Sequence, residues 1–283
     1  MSGWLPFRWH LVELAVIGVA LAAHRIVVSN RALRRRALGA LAALAVVVAW
    51  PVGDLAATVS LTAATVQRLV VMLLVAPMLL RATPMDVWDR LTRPAVVDAV
   101  VRRLSHPGVA LAVVTIAGTA TLTPPVVDWG ARSTIGRDVV LVATLTVGAL
   151  LWLPVIAAVP GTRRLSPVAR SGYLVVSSLV VTAFSVVWIF ARHPLYPGLS
   201  HQFAWLHLTP LADQQLAGFV AKFGAYVPMW LMAFAIFSTA DRHEIPTEES
   251  PLHFADVQRE MLRVDRQRAR AARRDQGGTP SGR

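Results

Sequence analysis

Residues 58–80 read TVSLTAATVQRLVVMLLVAPMLL, with Arg68 as the sole charged side chain among twenty-three residues. A hydrocarbon core of ~30 Å is crossed by roughly 20 mainly apolar residues in a helix, so this stretch is long enough to span. It lacks the period-two alternation of barrel strands. In lipid every backbone N–H must be satisfied within its own segment, which leaves helix as the element. Six further stretches have the same character: 11–28, 38–53, 107–125, 138–158, 171–191 and 213–239. Composition agrees, at 55% hydrophobic and only 16% charged, against about 25% charged in soluble domains. The expected fold is all-α: a polytopic membrane helix bundle of about seven transmembrane helices over residues 1–240. A basic cytoplasmic tail, 241–283, follows it.

The arginines between the spans set the orientation. The first gap holds Arg25, Arg31, Arg34, Arg35 and Arg36, the third Arg81, Arg90, Arg93, Arg102 and Arg103, and the fifth Arg163, Arg164 and Arg170. The tail holds nine more, whereas the N-terminus, second, fourth and sixth gaps together hold four. Cytoplasmic loops carry the excess of Lys and Arg, so the N-terminus is expected outside and the C-terminus inside. The first span runs into a basic cluster rather than a small-residue cleavage site, and is expected to be retained.

A net charge of +12 would suggest nucleic acid in a soluble protein. Here membrane topology accounts for it, and no nucleic-acid partner is expected; the first partner is the lipid bilayer. Within the tail, Phe254, Val257, Met261 and Val264 stand at helical spacing before an arginine-rich run. That segment is expected to be partly helical and to meet anionic lipid, with residues 276–283 disordered. The absence of cysteine excludes disulfides and thiolate metal sites.

Polar candidates concentrate on the outer face. Asp54, Asp128, Asp138 and Asp213 lie in or beside the even gaps, and Gln214 and Gln215 open the last span. Gln67, Arg68 and Lys222 fall inside spans. An ionisable residue within a span is a functional candidate by default; the competing structural reading pairs Arg68 and Lys222 with the aspartates. His193, His201 and His207 are metal candidates, although spacings of eight and six residues place them on no common helical face. Met72, Met78, Met85, Met229 and Met232 offer soft donors suited to Cu(I), though methionine in a membrane helix ordinarily serves packing. There is no H-E-x-x-H, no Walker A sequence and no G-x-S-x-G, and an enzyme is not expected.

The run Pro210-Leu211-Ala212-Asp213-Gln214-Gln215 resembles the signature before the last span of CtaG-type cytochrome c oxidase assembly factors. Val66-Gln67-Arg68-Leu69 with Met72 to Pro77, the segment from Gly148 to Pro154 containing Trp152, and His193-Pro194-Leu195-Tyr196 are similar to other parts of that family. The resemblance covers residues 50–240. It implies a bacterial-type plasma-membrane protein that assists assembly of a haem–copper oxidase, in contact with oxidase subunits or another assembly factor. It also implies a link to copper delivery. The family's third span, however, typically reads His-Met-x-Gln-His, and here those histidine positions hold Ala64 and Arg68. Other family histidine positions fall near Pro124, Arg137 and Leu141. Arginine is always protonated and offers no lone pair to a metal, so the family's histidine copper site is expected to be missing. The alternative expectation is a small-solute or anion transporter using Arg68 and Lys222.

Overall fold

A computed structural model describes residues 10–156, 165–199 and 209–244. The chain divides into two units, Met1–Phe237 and Ser238–Arg283. Beyond Glu244 the tail lies outside the described residues, as do His201 and His207.

Among the described residues the chain is helical, without strands. The helices are α1 Leu11–Val27, α2 Arg31–Val48, α3 Val52–Thr58 and α4 Leu61–Val70, the last continuing through a π-helical segment, Val71–Val75, into α5 Ala76–Ala82. Then come α6 Met85–Leu91, α7 Ala95–Leu104, α8 Pro107–Ala120, α9 Pro124–Arg132, α10 Thr134–Ile156, α11 Pro167–Val181, α12 Ser185–Ile189 and α13 Pro210–Glu244. Where they are described, all seven apolar stretches fall mainly on helices. Four helices are long and apolar enough to cross a membrane: Leu61–Ala82, Thr134–Ile156, Pro167–Ile189 and Pro210–Thr239. Two bent pairs, α2 with α3 at 55° and α7 with α8 at 87°, raise the number to six if each pair is one span. Helix α1 has 17 residues, about 25 Å at 1.5 Å per residue.

Several boundaries differ from the sequence expectation for local reasons. Helix α2 begins at Arg31, seven residues early, because the Asn30 side chain caps it by accepting from Ala32 N at 2.8 Å. The first arginine cluster is therefore helical. Arg34 turns back on α1, donating through Nη2 to the Arg25 carbonyl at 2.7 Å and through Nε to the Val28 carbonyl, which satisfies carbonyls left open where α1 ends. At the bend between α2 and α3, a Cβ on residue 53 would stand 2.0 Å from the Val48 carbonyl oxygen, so only Gly53 permits the turn. Pro124 and Pro125 open α9 instead of closing a span, since a proline in the first helical turn gives up an N–H that had no partner there. Helices α6 and α7 occupy a gap expected to be loop, and α7 leaves Val96, Val97 and Val100 exposed.

A proline inside a helix leaves one carbonyl without its donor, and at Pro77 the π segment sets which one. With i→i+5 bonding the N–H of residue 77 would pair with the Met72 carbonyl, and proline has none. Trp152 Nε1, from α10, donates to that carbonyl at 2.9 Å. The two helices approach this closely because residue 148 is glycine: a Cβ there would lie 2.8 Å from Met72 Cα. Around this contact Met72, Val114, Leu151, Trp152, Leu174 and Met229 form the main apolar core. Lipid tails are as apolar as this core, so close packing and interhelical hydrogen bonds hold the helices together rather than the hydrophobic effect. Ser171 Oγ donates to the Ala233 carbonyl at 2.8 Å, Tyr173 OH to the Leu151 carbonyl at 3.1 Å, and Trp230 Nε1 to Ser178 Oγ at 3.1 Å.

Candidate functional site

The Asp213-Gln214-Gln215 run works as a clamp. The buried Asp213 carboxylate accepts from Ser60 Oγ at 2.7 Å, Leu61 N at 2.7 Å and Thr62 N at 3.3 Å. These groups begin α4. The first amides of a helix have no partner within it and carry the positive end of its dipole, so a carboxylate from another helix satisfies both. Thr62 Oγ1 returns a bond to the Asp213 carbonyl at 2.9 Å. Gln214 Oε1 accepts from Leu195 N at 2.7 Å, and Gln215 Nε2 donates to the Ala191 carbonyl at 3.3 Å. The start of α13 is thus tied both to the start of α4 and to the chain leaving α12.

That chain places Tyr196 beneath the clamp. Tyr196 is buried; its hydroxyl donates to the Leu122 carbonyl at 2.6 Å and accepts from Trp188 Nε1 at 2.8 Å. Burial pushes the Tyr196 phenol up to about 12, partly offset by the bond to Trp188. It is therefore a neutral donor throughout the physiological range. The two rings meet edge to face, with centroids 5.8 Å apart.

With its N-terminus pinned, α4 turns Ala64, Gln67 and Arg68 into a cavity of about 110 Å³ whose wall also includes Arg137, Leu141 and Trp188. Four positions that the family resemblance associates with histidine, 64, 68, 137 and 141, therefore line one cavity. Pro124 does not; it borders a separate hollow beside Asp128.

Arg68 donates through Nη1 to Thr121 Oγ1 and through Nη2 to the Gly118 carbonyl at 3.0 Å. No carboxylate pairs with it among the described residues, so the expected structural pairing with an aspartate is not what holds it. Lys222 likewise meets a hydroxyl, Thr182 Oγ1, at 3.3 Å. Gln67 Nε2 donates to the Val47 carbonyl at 2.7 Å.

The aspartates have different partners. Asp54 is buried and accepts from Arg137 Nη1 at 3.1 Å, with His10 Nε2 at 2.8 Å from its other oxygen. His10 Nδ1 faces Glu13 Oε1 at 3.3 Å. Asp138 lines the cavity together with His10, Glu13 and Arg137. Asp128 pairs instead with Arg132, one turn further along α9, at 3.7 Å. His193 is exposed. Sequence reasoning missed His10, Glu13, Thr121 and Trp188. None lies in a motif, and His10 meets Asp54 across 44 residues.

The cavity does not suit copper, the metal the resemblance implies. Arg68 and Arg137 offer no lone pair, and both nitrogens of His10 face carboxylates. No group of three His, Asp or Glu residues that could hold a metal ion occurs among the described residues. Met72 and Met229 share the apolar core and a small hollow, whereas Met85 is exposed, and neither of the two buried thioethers lines the cavity at Ala64.

A family model described as cytochrome c oxidase caa3 assembly factor (Caa3_CtaG) matches residues 16–242. No curated protein and no solved structure matches the chain. The family match takes in every candidate residue from Asp54 to Lys222, including the clamp and the arginine that stands where the resemblance would put a histidine. The chain belongs to the cytochrome c oxidase caa3 assembly factor family.

Proposed function

We propose that this protein is a non-catalytic, multi-pass factor of the bacterial-type plasma membrane. It assists assembly of a haem–copper oxidase by docking to an oxidase subunit or another assembly protein. The family match over residues 16–242 carries this reading. In it α1 and the two bent helix pairs each count as a span, giving seven, with the N-terminus outside and the C-terminus inside. Gln67, Arg68, Asp54, Asp138, Asp213, Gln214 and Gln215 shape the outer half of the bundle, Asp213 and its neighbours as positioning residues. Arg68 gives the site a fixed charge where a metal ligand is expected, so any contribution to copper supply runs through a partner. Deleting the gene in a strain without a paralogue should lower oxidase activity and its haem–copper absorbance. Full activity in that strain would overturn the role. Reporter fusions at the two termini should report opposite sides of the membrane.

A second reading, transport of a small anion through Arg68 and Lys222, draws on one observation. Arg68 and Thr182, the hydroxyl that Lys222 meets, line the same small hollow of about 50 Å³. Solute uptake by reconstituted vesicles that disappears in Lys222→Met would favour transport.

A further inference from the structure

We propose that the cavity at Arg68 is a binding site for a small organic monoanion, a carboxylate carried on a short apolar tail. This goes beyond the assembly role and does not depend on which partner the chain serves.

The argument begins with charge. Five side chains with ionisable groups line the cavity: His10, Glu13, Arg68, Arg137 and Asp138. Four of them gather with Asp54, the carboxylates of Asp54, Glu13 and Asp138 against Arg137 and His10. Arg137 is 3.1 Å and His10 2.8 Å from the Asp54 carboxylate, and Glu13 lies 3.3 Å from His10, with Asp138 in the same wall. Arg68 stands apart from that set. Its two partners, Thr121 Oγ1 and the Gly118 carbonyl, are neutral. They are also bonded to each other, Thr121 Oγ1 to Gly118 O at 2.7 Å, so neither requires the guanidinium. A cation held inside a span without a carboxylate is costly, and a bound anion offsets that cost.

The chemistry of the ligand follows from the wall. A guanidinium has five N–H donors, and two of the Arg68 nitrogens are engaged by the contacts above. What remains is a planar fork, which matches a carboxylate better than a spherical ion. Val48, Val71, Val140 and Leu141 supply apolar surface, and Ala64, one turn before Arg68, leaves open the space a histidine would fill. Glu13 and Asp138 face the same cavity and repel a second negative charge, which selects a monoanion over a dianion.

The test uses the full chain in nanodiscs of uncharged lipid, with hexanoate as probe and hexanol as its neutral counterpart, followed by calorimetry. Wild type should bind hexanoate saturably and hexanol at least about tenfold more weakly, the worth of a charge-assisted hydrogen bond. Arg68→Gln should weaken hexanoate by about tenfold or more. Ala64→Leu keeps the charge but fills the space, and should weaken it comparably; it carries the test if Arg68→Gln fails to insert. Non-saturable binding to wild type, wild-type affinity in both variants, or equal binding of hexanol would overturn the proposal. The assembly role is read separately, from oxidase activity in cells, so either can fail without the other.

Discussion

The two halves of the Leu61–Ala82 helix solve opposite problems. In the first half Ala64, Gln67 and Arg68 face a cavity. In the second, Met72 and Ala76 meet α10 so closely that residue 148 has no room for a Cβ. One half borders the larger cavity and carries a cation without a carboxylate partner among the described residues; the other packs its backbone against α10. The π segment at Val71–Val75 lies between them, and π-bulges are frequent next to functional sites. The difference between the halves lies in packing more than in polarity. Asp213 is as polar as Arg68, yet its carboxylate holds Ser60, Leu61 and Thr62 at the start of α4.

That contrast can be broken most forcefully in the packed half. Gly148→Leu should cost about 3 kcal/mol or more through overpacking, and little monodisperse protein should survive extraction in mild detergent. Recovery at wild-type yield would mean that the close approach to Met72 is dispensable. Asp213→Ala leaves two amides and a hydroxyl at the start of α4 without their acceptor. It should lower stability by about 2 kcal/mol, read as a reduced midpoint of thermal unfolding. Trp152→Phe keeps the ring but strands the Met72 carbonyl, for about 1–2 kcal/mol. The cavity half should respond quite differently. Arg68→Met removes a charge with no carboxylate partner and should be neutral or stabilising by about 1 kcal/mol; a loss as large as that of Gly148→Leu would erase the distinction between the halves.

A gain of function sharpens the same comparison. Ala64→His with Arg68→His places two imidazoles at i and i+4 on the cavity face, one turn apart. The double variant should bind copper more tightly than wild type in a competition assay with a chromophoric chelator. An unchanged affinity would mean that the cavity wall needs further donors from positions 137 and 141.

The membrane character of the fold was legible because hydropathy and length suffice for it: where described, each of seven apolar stretches is mainly helical. Helices α6 and α7 were hidden by the same reasoning, since a search for apolar runs passes over an amphipathic helix such as α7, where Val96 and Val100 alternate with Asp98 and Arg102. Arg68 and the Asp-Gln-Gln run stood out, one as a charge inside a span and the other as a family signature. What each contacts was not legible. Asp54 finds His10 and Arg137 across 44 and 83 residues, and Asp213 finds Leu61 across 152. Such pairings depend on the three-dimensional arrangement and leave no local pattern in one sequence. Pro77 is plain in the sequence, but the donor that replaces its missing N–H is Trp152, which lies on another helix.

The carboxylate that seals the start of α4 is translated about 150 residues after the amides it binds. During synthesis those amides wait without it until the final helix enters the bilayer. Completion of this bundle is therefore registered near its middle. A chain that ends before residue 210 lacks the carboxylate that these amides bind.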